Sequence, residues 1–270
     1  MMTLSEKLLV STKQEEITSG FVEFVSSAPM TITPIYTNSG VTLQYSLDCI
    51  TWINITSKVQ TPSANIIYFR GKATGTKSLY SSMGQGQAWT FTGATNLECN
   101  GKLDRLLQNT LGEDTDILKL GNYGFSCMFY NINTLIKAPE LPATTVATNC
   151  YNEMFRGCTS LKTTPKLPAT TLATSCYYNM FYGCTSLTTA PELPATTLTD
   201  SCYYNMFYGC TSLKISETLT GIYDTAYRIP KTGTGIIANS SLFNMFSATG
   251  GTFKSNPTIN TTYYTENTPA

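Results

Sequence analysis

The chain contains no histidine, and with it goes the one side chain whose unperturbed pKa lies near neutrality. Ser-His and Cys-His nucleophile pairs and histidine-ligated metals are excluded, which leaves catalysis only to carboxylates or lysine. Charge is scarce too. Only 13% of the 270 residues are charged, and 17 Lys and Arg balance 17 Asp and Glu without a basic run. Nucleic acid and anionic membranes are therefore not expected as partners. No apolar run approaches the roughly 20 residues of a membrane span, so no membrane insertion is expected. The opening MMTLSEKLLVSTKQEEITSG lacks a basic stretch followed by an apolar core, so no secretory signal is visible. If Met1 is the native start, the chain is expected to be made in the cytosol and to reach its site by assembly into a particle.

What the chain has is repetition. Met128-Phe129, Met154-Phe155, Met180-Phe181 and Met206-Phe207 recur every 26 residues, and a degraded copy returns at Asn244-Met245-Phe246 after a gap of 39. The text between them is nearly copied: MFRGCTSLKTTPKLPATTLATSCYYN, then MFYGCTSLTTAPELPATTLTDSCYYN. A fixed period of this size is the signature of stacked supersecondary units.

Each copy divides into two parts. In CYYNMFYGC, Cys176, Met180 and Cys184 stand at i, i+4 and i+8 with Tyr177 and Phe181 beside them, a spacing that predicts one buried stripe on a short helix ended by Gly183. The run from Leu187 to Leu193 reads as extended, with Leu187, Thr189, Pro191 and Leu193 to one side. A unit this small cannot bury its own apolar face, so equivalent residues are expected to form ladders between neighbours. The expected core ladder is Met128, Met154, Met180 and Met206 with Phe155, Phe181 and Phe207, Leu161, Leu187 and Leu213, and Cys150, Cys176 and Cys202.

The pattern MFxGCTSLxxxPxLPATTLxxxCYxxMFxGC resembles the BspA-like leucine-rich-repeat family of surface proteins, found in gut and oral bacteria and in phages that infect them. The match is strong over residues 124–213 and weak at YSLDCITWINIT, IYFRG and GTFKSNPTINTTYY. The resemblance implies a leucine-rich-repeat solenoid with an adhesive or recognition role. It supplies no ligand.

Ahead of the repeats, VTLQYSLDCITWINIT and NIIYFRG alternate and are rich in β-branched and aromatic residues, the pattern of short antiparallel strands. The expected fold class is thus mixed β/α: a small β-sandwich over residues 20–100, a solenoid cap over 101–126, repeats over 127–220, and a degenerate last repeat with a C-terminal cap over 221–270. Residues 1–19 are expected to form a loose terminus or an attachment helix.

Nine cysteines permit a disulfide framework, a metal site or buried thiols. The spacing of eight within a pair does not fit a zinc knuckle, and the position of Cys158 and Cys184 is Ile132 in the first copy. Free buried thiols are favoured, and neither metal nor cofactor is expected.

Candidate binding residues fall into two groups. Lys162, Lys166 and Glu192 vary at outward positions of the extended run. Tyr178 and Tyr182 repeat as Tyr204 and Tyr208, where the first full copy has Arg156 in place of Tyr182, and each i, i+4 pair faces away from the buried stripe. Tyrosine suits protein or sugar contacts, though the same rings also serve to stack between turns and shield the core. Glu140 and Glu192, with Lys166 between them, lie roughly 10 Å apart by strand spacing, as inverting glycosidase carboxylates do. Neither is expected in a cleft that would raise a pKa. No phosphate loop, dinucleotide fingerprint or nucleophile elbow occurs, so no enzyme is expected. The expectation is a non-catalytic recognition or structural module: a phage fibre, tail or capsid-decoration protein, a bacterial cell-surface adhesin, or a spacer without ligand. Its partners would be protein, surface glycan or other virion proteins. Self-association stays open.

Overall fold

The computed structural model describes residues 20–82, 84–228 and 240–266, so the expected attachment helix over 1–19 lies outside the described residues. Ten short strands and two three-ten turns make up the regular structure, and the described residues contain no α-helix.

Strand β1 (Val22–Thr33) alternates, with Val22 and Phe24 buried and their neighbours half-exposed, until its register shifts between Val25 and Met30. Pro29 sits in that irregularity, where a missing N–H breaks no ladder. The first half of β1 pairs with β4 (Ala64–Ala73) and β6 (Leu97–Asn100), the second half with β5 (Thr90–Thr92). Beyond β4 follow β2 (Val41–Ser46) and the edge strand β3 (Ile53–Ile55), all antiparallel. The sheet is mixed because β7 (Leu135–Lys137), which belongs to the first repeat copy, pairs parallel with β6.

The expected sandwich is therefore corrected to one seven-stranded mixed sheet. Its inner face needs no second sheet. Leu79, Tyr80, Trp89, Leu103, Leu106 and Leu107 join its buried side chains in one core, and Phe129 of the first copy stacks on Phe91 at 5.9 Å. The three-ten turn Leu103–Leu106 comes so close to β4 that a Cβ at Gly71 would meet the Leu106 carbonyl oxygen at 2.2 Å.

The expected helix-and-strand solenoid is overturned as well, and the backbone shows why. Through residues 147–158 the even-numbered amides close tight turns: Cys150 N to Ala147 O, Asn152 N to Asn149 O, Met154 N to Tyr151 O, Arg156 N to Glu153 O. The odd-numbered amides leave the segment and bond the next copy: Tyr151 N to Cys176 O, Glu153 N to Tyr178 O, Phe155 N to Met180 O, Gly157 N to Tyr182 O. Every fourth residue is left-handed, at φ 55° for Asn149, 53° for Glu153 and 74° for Gly157. Alternate turns thus carry a left-handed third residue, as type II turns require. An α-helix would have closed its amides upon itself. This spiral of turns gives half of them to its neighbour, and the same pattern recurs at Tyr177, Asn179, Phe181 and Gly183.

The extended runs pair little beyond β7. Pro139, Pro142, Pro165, Pro168, Pro191 and Pro194 have no N–H to give a ladder. Thr188 N donates to Lys162 O at 3.0 Å, and single parallel bridges join Lys119, Thr145 and Thr171.

Side chains follow the backbone in columns. Phe129, Phe155, Phe181, Phe207 and Phe246 stack at 5.5–5.8 Å, and Tyr151, Tyr177 and Tyr203 at 5.6–5.7 Å. Met128, Met154, Met180 and Met206 are buried, as are Leu161, Leu187, Leu213, Cys150, Cys176 and Cys202. All nine thiols are free; Cys158, Cys184 and Cys210 donate to the carbonyls of Phe129, Phe155 and Phe181 at 3.0–3.1 Å.

Both ends of the stack are closed by the chain itself. In front, Leu79 N and Trp89 N reach Gly124 O and Met128 O. Behind, the degraded copy's Asn244 N donates to the Asn256 side chain and its Phe246 N to Ser255 O. A small sheet of β8 (Ile215–Ser216), β10 (Thr262–Thr265) and β9 (Thr225–Arg228) completes this end, with Phe253 and Tyr263 packed edge-on against Phe246.

Candidate functional site

The copies present two repeated surfaces, and the sequence-derived binding residues divide between them. The first is built by the Pro-x-Leu-Pro segment of each copy. Leu141, Leu167 and Leu193 are buried there, which turns the intervening residues Glu140, Lys166 and Glu192 outward. The rigid rings on either side line the surface, Pro142, Pro165, Pro168 and Pro194 half-exposed and Pro139 and Pro191 buried. Between the first and second walls lies an open cavity of about 500 Å³, lined by Pro139, Glu140, Pro142, Pro165, Lys166 and Pro168. Between the second and third lies another of about 510 Å³, lined by Pro165, Lys166, Pro168, Pro191, Glu192 and Pro194. The two share the Pro165-Lys166-Pro168 wall, so they form one furrow whose rim charge alternates from Glu140 to Lys166 to Glu192.

At its front the furrow runs into a polar hollow of about 530 Å³ that shares Ala138 and Glu140 with it. Arg105 anchors this hollow. Its side chain is buried and bonds Asp104, Asp114 and Asp116, while Lys102 reaches Asp116 at 2.8 Å. Burial raises the pKa of Asp104, against the pull of the Ile117 N–H that it accepts at 2.7 Å and of Arg105. Lys102 lowers that of Asp116. The group fixes the loop at 114–117 over the end of the sheet.

The second surface is a ridge on the turn spiral. Tyr178 and Tyr204 stack at 4.8 Å, and Phe243 extends the column at 5.2 Å. Tyr182 and Tyr208 stack at 4.8 Å, with the Arg156 guanidinium 4.5 Å from the Tyr182 ring centroid. Arg156 is held there by Glu153, 2.6 Å away. Burial works against its charge, but Glu153 and the neighbouring tyrosines outweigh that and raise its pKa. Glu153 occupies the copy position of Asn179 and accepts that residue's amide at 2.9 Å. Burial, then Tyr204, raises the pKa of Tyr178.

Stacking decides what the ridge offers. Each ring face is turned toward a neighbouring copy, so the half-exposed tyrosines present edges and hydroxyls to solvent. Tyr178, Tyr182, Tyr204, Tyr208 and Arg156 come together here, Lys166 and Glu192 in the furrow. Lys162 lines neither cavity; it is exposed, and its carbonyl accepts from Thr188. The sequence pattern does not single out the prolines as the walls of a binding surface, nor Glu153, which is unlike its Asn counterparts in later copies. Among the described residues no group of three or more Cys, Asp or Glu side chains is placed to hold a metal ion.

A scan against protein-family models, a search of curated proteins and a search of solved structures return no match to this chain.

Proposed function

We propose that this chain is a non-catalytic recognition module whose stacked copies hold the proline-walled furrow and the tyrosine ridge out to a protein or glycan on a host or partner surface. One observation carries the reading: the interior changes little from copy to copy, while the furrow stays open and changes charge from wall to wall. A constant frame with a variable rim is the arrangement of a tunable binding surface. The cavities are open to solvent, and the carboxylates on their rim are exposed, which speaks for binding rather than for acid-base chemistry. The resemblance of the repeat text to BspA-like proteins supports a setting on a virion or a bacterial cell surface.

The test is an overlay of host-envelope proteins and a glycan array, probed with the full chain and two variants. Lys166→Glu reverses the central furrow charge, and Tyr204→Ser with Tyr208→Ser removes two of the four ridge tyrosines. The expected result is a retained ligand whose affinity falls at least tenfold in one variant. Absence of any ligand, or equal retention by both variants, contradicts the reading. The balanced charge and near-identical copies favour a spacer without ligand as the second reading, and an empty array would move the conclusion there.

A further inference from the structure

The copies build the same wall three times, and the chain itself occupies one of them. Tyr227 of β9 donates its phenol hydroxyl to the carbonyl of Pro191 and packs against the core. It lines neither open cavity, and where a fourth Pro-x-Leu-Pro would stand the chain reads Glu217-Thr218-Leu219-Thr220 instead. The carbonyls equivalent to Pro191 O are those of Pro139 and Pro165, and neither receives a hydrogen bond among the described residues. Pro139 lines the front cavity, and Pro165 lies on the wall that the two cavities share.

Resting on the recognition reading above, we propose that the two open cavities are seats for tyrosine side chains of a protein partner. Each ring lies against proline walls, and each hydroxyl donates to Pro139 O or Pro165 O as Tyr227 does to Pro191 O. The chemistry of the wall selects this ligand. A saturated proline ring offers C–H groups to an aromatic face, and a carbonyl without a donor offers one acceptor, so a phenol satisfies both. Addition of a backbone strand is disfavoured because the prolines give no N–H along the furrow. Rim charge orients the partner: Glu140 and Lys166 call for a basic and an acidic group beside the inserted rings. A second copy of this furrow docked with its two-fold axis through Lys166 would set Lys166 against Lys166 and Glu140 against Glu192, so that fully overlapped isologous contact is not the occupant.

The experiment titrates the isotope-labelled full chain with N-acetyl-tyrosinamide, N-acetyl-phenylalaninamide and a methyl glucoside, following backbone amide signals. Tyrosinamide is expected to shift Glu140 and Leu141 of the front cavity and Lys166, Leu167, Ala190 and Glu192 of the rear one, with an affinity about fivefold above phenylalaninamide, the worth of one net hydrogen bond. Ala190→Trp, which fills the rear cavity, is expected to abolish the shifts at Ala190 and Glu192 and leave those at Glu140 and Leu141. Tyr227→Ala, which empties the occupied seat, is expected to add a third set of shifts near Pro191 and Leu193. Should either variant misfold, the other carries the test. Equal response to tyrosinamide and phenylalaninamide, stronger response to the glucoside, or no response at millimolar ligand overturns the proposal. A ligand found in the overlay without any tyrosinamide response would sink this inference and leave the recognition reading standing.

Discussion

At the scale of single residues, the left-handed positions of the turn spiral set what each site tolerates. Gly157 and Gly183 are equivalent and share φ values of 74° and 71°, yet a Cβ at Gly157 would meet Asn131 Oδ1 at 2.1 Å, while one at Gly183 meets nothing. Gly183→Ala should therefore cost only the left-handed strain of about 1 kcal/mol, and Gly157→Ala distinctly more, as urea unfolding of the two variants will report. Burial ranks a second pair. Met180 is fully buried, so Met180→Ala should lose roughly 2–5 kcal/mol through the cavity it leaves, whereas Tyr204→Ala, half-exposed on the ridge, should lose much less and act on binding; a thermal melt with the opposite ranking would reverse inside and outside. In the loop after β2, Asp48 accepts the N–H groups of Ile50 and Thr51 at 2.8 and 2.7 Å, which lowers its carboxyl to about 2. A folded pKa below the unfolded one means that the support is present above about pH 4 and is lost as pH falls toward 2. The protection factors of the Ile50 and Thr51 amides, their exchange rates divided into the unfolded-chain rate at the same pH, should fall across that window and hold between pH 5 and 7.

At the scale of the element, a single copy is incomplete, since its odd-numbered amides find their partners only in the next copy. A synthetic peptide of residues 150–175 should accordingly show no ordered circular dichroism in water, while deletion of one whole copy from the full chain keeps every interface and should leave it folded. What the sequence disclosed and what it hid divide along the same line. The period of 26 and the inward side chains are legible because they depend only on position within a copy. The helix was misread because i, i+4, i+8 burial is common to a helical stripe and to a spiral of two-residue turns. A partial signal for the spiral was present: Asn149, Gly157, Asn179 and Gly183, of the types that accept a left-handed backbone most readily, fall on the four-residue series of left-handed positions, which Glu153 and Ser175 fill in between. In the furrow, Lys166 and Glu192 stood out by their variation, but the cavities between prolines exist only once copies stack, so no single copy spells them. The sandwich failed for a related reason: the cover of the sheet comes from irregular segments and from Phe129, which no strand pattern announces.

At the scale of the whole molecule, one continuous core runs from Val22 and Phe24 through the columns to Phe246 and Tyr263, and the β6–β7 pairing sews the first copy to the leading sheet. Unfolding should be a single transition by both near-ultraviolet dichroism and tryptophan emission, because Trp89 sits at the junction and donates to Met128 O. Alkali should weaken this core. Burial raises the thiols of Cys127 and Cys202 to about 11 and that of Cys184 to about 12. A folded pKa above the unfolded one means that stability is full below the unfolded thiol range of about 8.5 and drains as pH climbs toward 12. Urea midpoints should hold from pH 6 to 8 and fall steadily above 9. In the native state near pH 8 a thiol reagent should modify Cys49, the one thiol not buried, well before the others. The account stands or falls on where the amides of the spiral point, and scalar coupling across hydrogen bonds reads that directly. Phe181 N should couple to the carbonyl carbon of Met206, and Asn179 N to that of Tyr204; coupling of Phe181 N to the carbonyl of Tyr177, four residues earlier, would show a helix and contradict it.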